Sequence, residues 1–294
     1  MPLTHLRILR PAPNVLAFYE GRVEGHRFAP GPNWVDDGAL SLGIASYVIH
    51  DGAEALVYDT HVSPDHGAFI RATLDDMGIT RFTVVLSHWH LDHVAGTAAF
   101  TDCPVIANTK TAAHLMQRRK AIEAGTAKGM PAINPLIQPT ALFENRAHLH
   151  VGGLHIDLIE ANIHSDDATV LWMAAPRLLF AGDTMEDTIT YVGEPEDFAI
   201  HLADLDRLAA LAPARILPNH GAAAAIEAGG YGPGLVGATK DYIGFLQQCK
   251  TDVTLRDLPL SQVIQPWLGT GDLTYFAPYE RVHRQNIERV LNAG

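Results

Sequence analysis

Ser87-His88-Trp89-His90-Leu91-Asp92-His93 is the stretch on which the reading of this chain turns. It follows the apolar, β-branched run 82–87 (FTVVLS), which reads as a strand, and leads into 94–100, which reads as the start of a small helix. Four side chains able to bind a metal, His88, His90, Asp92 and His93, crowd into this one turn. His88 and His90 are two apart, so an extended loop projects them to the same side. Asp92 and His93 stand where the chain bends into the helix and can face a neighbouring point. One loop can therefore serve two adjacent ions. The plain alternative is a polar surface loop with chance histidines. Leaving so many polar groups unsatisfied at the end of a buried strand would be costly.

Working outward, short apolar runs alternate with helical patterns. Residues 45–50 (ASYVIH) and 55–59 (ALVYD) read as strands joined by the turn Asp51-Gly52. Residues 64–77 read as a helix stopped by Gly78, 104–107 as a strand and 112–124 as a helix. From 125 to 145 the pattern fails. Gly125, Gly129, Pro131, Pro135 and Pro139 mark a loop or lid. Strands are expected at 147–151, 154–160, 169–173, 177–181 and 215–218, and helices at 201–211, 238–249 and 279–291. A β-rich half with a helix, followed by another, suggests two sheets packed face to face with helices outside.

Three further candidate ligands each stand just after one of these strands. They are His164 in EANIHS, Asp183 in LFAGDT and His220 in LPNHG. With the H-x-H-x-D-H turn, the chain resembles the metallo-β-lactamase superfamily over roughly residues 40 to 221. The resemblance implies an α/β, four-layer αββα sandwich with the site at one end of the two sheets. It implies that His88, His90 and His164 hold one metal, that Asp92, His93 and His220 hold a second, and that Asp183 bridges them with its two carboxylate oxygens. Imidazole and carboxylate donors suit two zinc ions, with iron or manganese compatible. Two such ions can acidify a shared water, and the resulting hydroxide would attack a carbonyl. Asp92 would orient it and pass its proton to the leaving atom. The expectation is a dinuclear zinc hydrolase of a small-molecule ester, lactone, thioester or amide. An iron-dependent persulfide dioxygenase with a single ion is the alternative, and a catalytically silent metal-binding scaffold is the third reading.

Asp59 ends the strand ALVYD, where family members commonly carry an aspartate. It either fixes a ligand loop or caps a strand end. Trp34 and Trp89 are candidates for lining the substrate pocket, with the segment 32–42, read as a hairpin, and the loop 125–145; each is equally readable as a structural tryptophan. Lys128 or Arg118 could meet a substrate carboxylate. Lactonases of the superfamily commonly carry a tyrosine shortly after the bridging aspartate, whereas the third position after Asp183 here is Glu186 and the nearest tyrosine is Tyr191.

Composition bounds the rest. The chain has 294 residues, 47% hydrophobic and 18% charged, which suffices for a large folded core. It reads as one domain over 1–294 with a C-terminal helical extension from about 222. A formal charge of −12 makes nucleic acid an unfavourable partner. The two cysteines, Cys103 and Cys249, make no disulfide framework. No stretch reads as a signal peptide or a membrane span, so a cytoplasmic protein acting on a small molecule is expected, with a homodimer as the base-rate state. Of the 16 histidines, His61, His66, His148, His150, His155 and His283 fall outside the ligand pattern.

Overall fold

A computed structural model describes residues 3–293. Seven strands make the first sheet, in spatial order β1 (Arg7–Ala12), β2 (Val15–Glu20), β3 (Ile44–Asp51), β4 (Glu54–Tyr58), β5 (Arg81–Val85), β6 (Val105–Asn108) and β7 (Ala141–Phe143). The first four run antiparallel and the last four parallel, so the sheet switches sense at β4. The second sheet has the order β12 (Arg215–Pro218), β11 (Leu178–Gly182), β10 (Thr169–Met173), β9 (Leu154–Glu160) and β8 (Arg146–Val151).

The side-chain period of two sorts each strand between two layers of core. In β3, Ala45, Tyr47 and Ile49 point between the sheets and meet Leu158, Leu171, Phe180 and Leu217 of the second sheet. Val48, on the other face, packs with Val57, Val84, Ile70 and Leu115 beneath the helices Pro64–Asp76 and Thr109–Glu123. The outer face of the second sheet (Val170, Leu179, Ala181) is covered by the helices Phe198–Ala209, Gly234–Gln248 and Tyr279–Asn292. The layers are therefore helix, sheet, sheet, helix. Because both faces of the central strands are buried, they read as near-continuous apolar runs rather than alternating ones.

In the N-terminal hairpin β1–β2, Asn14, at φ +64°, closes a tight turn between the two strands. Two local expectations need correction. Residues 125–145 are not loop throughout, since β7 adds to the sheet edge beside β6. The segment 32–42 is no hairpin: Val35–Leu40 coils as a π-helical turn, with the buried Asp36 accepting the backbone N–H groups of Phe28 and Ala29. Among the described residues no helix is long and apolar enough to cross a membrane.

Strands β5, β9, β11 and β12 all finish at the same end of the sandwich, and each is followed by one of the ligand-bearing turns. A bridge between Ile44 and His220 and the bond from Ala45 N–H to Asn219 O (2.8 Å) lock the two sheets together there.

Candidate metal centre

The chain reaches this end through strained turns. Asp59 and His164 sit at φ +65° and +71°, in the left-handed region that non-glycine residues avoid. Gly182 (φ +57°) turns β11 into Asp183, and a Cβ there would come within 2.9 Å of the Tyr58 hydroxyl. The surrounding packing holds these conformations and aims the side chains inward.

His88, His90, His164 and Asp183 converge as one donor group, and Asp92, His93 and His220 as another. Asp183 Oδ2 is the hub. It lies 3.1 Å from His93 Nε2, 3.5 Å from His220 Nε2 and 3.7 Å from both His88 Nε2 and His164 Nε2. His90 turns Nδ1 inward, 2.9 Å from His88 Nε2 and 3.0 Å from His164 Nε2. Asp92 Oδ2 is 3.3 Å from His220 Nε2 and 3.6 Å from His93 Nε2. The shortest contacts from the imidazoles all run to Oδ2, while Oδ1 is buried with no hydrogen-bond partner.

The outward nitrogens are held by the protein, which leaves the inward ones free. His164 Nδ1 donates to Tyr191 O (3.0 Å) and His220 Nδ1 to Gly43 O (2.9 Å). Asp59, fully buried, accepts from Ser87 N–H (2.7 Å), Ser87 Oγ (2.6 Å), Asn219 Nδ2 (2.5 Å) and His93 Nδ1 (2.9 Å). Ser87 Oγ also meets His88 Nδ1 at 2.9 Å. Asp59 thus fastens two ligand turns at once, the first of its two readings. Asp167, which sequence reasoning missed, does the same from the second sheet. It accepts Trp89 N–H (2.9 Å) and Ser165 Oγ (2.5 Å).

The electrostatics fit a cation-binding site. Burial and neighbouring imidazoles hold His88 and His90 well below the ordinary histidine value, and burial brings His164 down to about 4. These rings keep neutral nitrogens available as donors. Burial also pulls His93 and His220 down, but the carboxylates around them, Asp183 foremost, push both well above the usual value. Burial disfavours the Asp183 carboxylate, yet His93 and His220 outweigh it and keep the group ionised. Buried carboxylates here demand positive charge, and the orphaned Asp183 Oδ1 and the crowded imidazole nitrogens are what bound ions would satisfy.

A cleft of about 330 Å³ opens onto the hub, lined by Trp34, Leu42, Lys128, Tyr191, Arg281 and Val282 among others. Trp34 is on its wall, as expected, and its Nε1–H donates to Pro131 O (2.9 Å). Trp89 is not a lining residue. Its ring packs beside His90 (4.7 Å) and His114 (5.9 Å), with its partly buried face on the helix-side core, because the H-x-H alternation that turns the histidines inward turns Trp89 away. Sequence reasoning also missed the wall formed by Arg281, Val282 and Gln285 of the C-terminal helix. Glu186 lines the cleft too. It accepts Tyr279 Oη–H (3.0 Å) and Tyr191 N–H (3.1 Å), and burial raises its carboxyl to about 7. His61 and His66 stack, buried, at 4.3 Å, and His283 is buried against Tyr242, all outside the donor groups.

A two-sheet sandwich with paired histidine and aspartate donor groups at one end defines an α/β metal-binding protein of the αββα class. The family model of the metallo-β-lactamase superfamily matches residues 41–220, and the chain belongs to that superfamily. Two curated relatives, each called β-lactamase-like protein 2 homolog, are 27% identical. The one from Caenorhabditis elegans aligns over 205 residues, 68% of this chain and 60% of that protein. The one from Drosophila melanogaster aligns over 188 residues, 62% of this chain and 60% of that protein. The matched part thus spans about 60% of the length of these relatives. Among solved structures, the DIM-1 metallo-β-lactamase superimposes with a TM-score of 0.56 at 20% identity, covering 76% of this chain and 92% of that one. A metallo-β-lactamase from Pontibacter korlensis does so with a TM-score of 0.57 at 15% identity, covering 74% and 92%. At such identities these structures speak for the fold.

Proposed function

We propose that this protein is a dinuclear, zinc-dependent hydrolase acting on the carbonyl of a small-molecule ester, lactone, thioester or amide. The observation that carries the reading is the meeting of two donor groups at a single carboxylate oxygen, Asp183 Oδ2, beside an open cleft. His88, His90 and His164 would hold one ion, Asp92, His93 and His220 the other, and Asp183 would serve both. When bound, the ions would supply Lewis acidity toward the carbonyl and the attacking water.

The chain's own groups do the rest. Asp92 is the one donor of the second set that remains 17% exposed, and it lines the cleft. Its carboxylate can therefore orient an attacking water and carry that water's proton to the leaving atom. Leu42, Trp34 and Val282 give the cleft an apolar wall that excludes bulk water and holds the acyl part, and the cleft's volume of about 330 Å³ suits a small molecule.

The test is metal content by mass spectrometry on protein purified without added metal or chelator, paired with a panel of lactone, thioester and β-lactam substrates. Two zinc ions per chain with turnover of a panel member is the expected result. A single iron with oxygen consumption on a persulfide would overturn it in favour of the oxidoreductase.

A further inference from the structure

We propose that the outer face of the helix Thr109–Glu123, with the turn that follows it, docks this protein on an anionic lipid surface. The proposal concerns where the molecule stands, and it does not rest on the hydrolase reading.

The first observation is a segregation of charge. Residues 103–143 hold five basic side chains, Lys110, Arg118, Arg119, Lys120 and Lys128, and a single acid, Glu123. The whole chain has 21 lysines and arginines against 33 acids. The acid excess therefore lies outside this segment and turns the rest of the molecule away from a negative surface. Not all five cations point outward. Lys110 is paired with Glu160 (2.6 Å), the Arg118 guanidinium lies over the Trp89 ring (4.3 Å), and Lys128 lines the metal-centre cleft together with Asp92. The outward stripe is Met116, Arg119, Lys120 and Glu123, spaced i, i+3, i+4, i+7, opposite the buried Leu115 and Ile122. Lys120 is exposed, and its ammonium has no ion-pair partner among the described residues. Arg119 has only Glu123, one turn on (3.0 Å), and such an exposed pair is weak.

The second observation is apolar surface among these cations. Met116 is 58% exposed, Met130 61% and Leu142 55%. Met130 folds back on the end of the helix, with its Sδ where a Cβ on Gly125 would lie. Leu142 stands on the helix side of the edge strand β7, because its neighbour Phe143 points between the sheets. Exposed apolar side chains beside free lysine and arginine are what a surface lying on a bilayer interface presents.

Shape and chemistry select the partner. Met116, Arg119, Lys120 and Met130 do not line the metal-centre cleft, and the outside of a helix with a loop tip is convex. Small ligands take concave sites, whereas a convex face suits a flat, deformable surface. Single-stranded nucleic acid is gripped by stacking its bases on open aromatic rings, and the ring on this side, Trp89, is already covered by Arg118. Methionines and long basic side chains instead settle among lipid headgroups, with the apolar stem inward and the cation at phosphate. The turn that carries Met130 also carries Lys128 and Pro131, whose carbonyl holds Trp34 on the cleft wall (2.9 Å). Docking therefore sets the lip of the cleft at the boundary between water and lipid, where amphiphilic molecules gather.

The test is co-sedimentation of the full chain with extruded vesicles, of phosphatidylcholine alone and of phosphatidylcholine with one-third phosphatidylglycerol, at low and at raised salt. The wild type is expected to bind the phosphatidylglycerol vesicles at low salt, to leave them as salt is raised, and to ignore phosphatidylcholine alone. Arg119→Gln with Lys120→Gln weakens partitioning by about 10- to 30-fold, at about fivefold per cation. Met116→Ser with Met130→Ser weakens it too but leaves its salt dependence in place. Lys250→Gln, an exposed lysine elsewhere on the chain, changes nothing. All the altered side chains are exposed, and circular dichroism checks that each variant keeps the fold. No binding to the anionic vesicles at low salt overturns the proposal. So does binding that survives in the Arg119→Gln, Lys120→Gln variant, which would put the contact on another face. Poly-uridine or polyglutamate held as tightly as the vesicles, and lost in that same variant, would make this a surface for polyanions in general and sink the lipid reading.

Discussion

Two groups of histidines sit on this one sandwich, and they behave differently. At the metal end, His88 and His93 lie with ring centres 4.3 Å apart, and His90 and His164 at 4.9 Å. On the hairpin β8–β9, His148, His150 and His155 are hardly more dispersed, with His150 and His155 at 5.0 Å and His148 and His155 at 5.7 Å. Ring spacing does not separate the two groups; what surrounds the rings does. His88, His93, His164 and His220 each have their outer nitrogen held by a buried hydroxyl, carboxylate or carbonyl. His155 is 49% exposed and has both ring nitrogens turned to protein partners, Nδ1 to His150 (3.4 Å) and Nε2 to Asp157 (3.3 Å), so neither is left facing inward for an ion. A histidine becomes a donor of defined direction when its second nitrogen is spoken for.

The comparison is open to attack at both ends. The largest expected effect is at the hub. His88→Ala or Asp183→Ala abolishes turnover while circular dichroism and hydrodynamic size stay close to wild type, and full turnover in either variant would break the assignment. Next, Asp92→Asn lowers kcat by about 10²- to 10⁴-fold, the usual range for a lost proton carrier, with a smaller loss of metal. Complete loss of both ions would instead make Asp92 chiefly a ligand. Asp59→Asn is expected to cost about 10- to 100-fold in metal affinity, because it misorients His93 and the Ser87–His88 turn without removing a donor. Competition with a chelator measures this, and unchanged affinity would show that the outer hydrogen bonds are dispensable. The smallest effect belongs to the other group. His150→Ala with His155→Ala leaves metal content and turnover within about twofold and stability within about 0.5 kcal/mol, as for surface changes in general. A loss of one metal equivalent in that double variant would erase the distinction.

The same contrast explains what could be read from the sequence. His88, His90, Asp92 and His93 share one turn after an apolar strand, and His164, Asp183 and His220 repeat that context, so the pattern is local and visible. The face-to-face sheets are visible too, since runs such as LHIDLIE and TVLWM are short, apolar and bounded by turns. The cleft wall is not local. Arg281, Val282 and Gln285 reach the site only because the helix Tyr279–Asn292 docks on the second sheet, anchored by Tyr279 on Glu186 and by Asn286 on Val192 N–H (2.9 Å). Asp167 resembles any loop aspartate until the fold brings it under Trp89. Trp89 carried two readings, pocket lining and structural, and the alternation of the turn points it away from the inward histidines, toward the second.

Asp59 has a consequence for how the molecule melts. Its partners Ser87, His93 and Asn219 lie 28, 34 and 160 positions away along the chain, so one carboxylate closes contacts from opposite ends of the sequence. Neither sheet can complete this knot alone. An ion held by His93 and His220 would bind only where the two halves have docked, so loading the centre would stabilise both halves together.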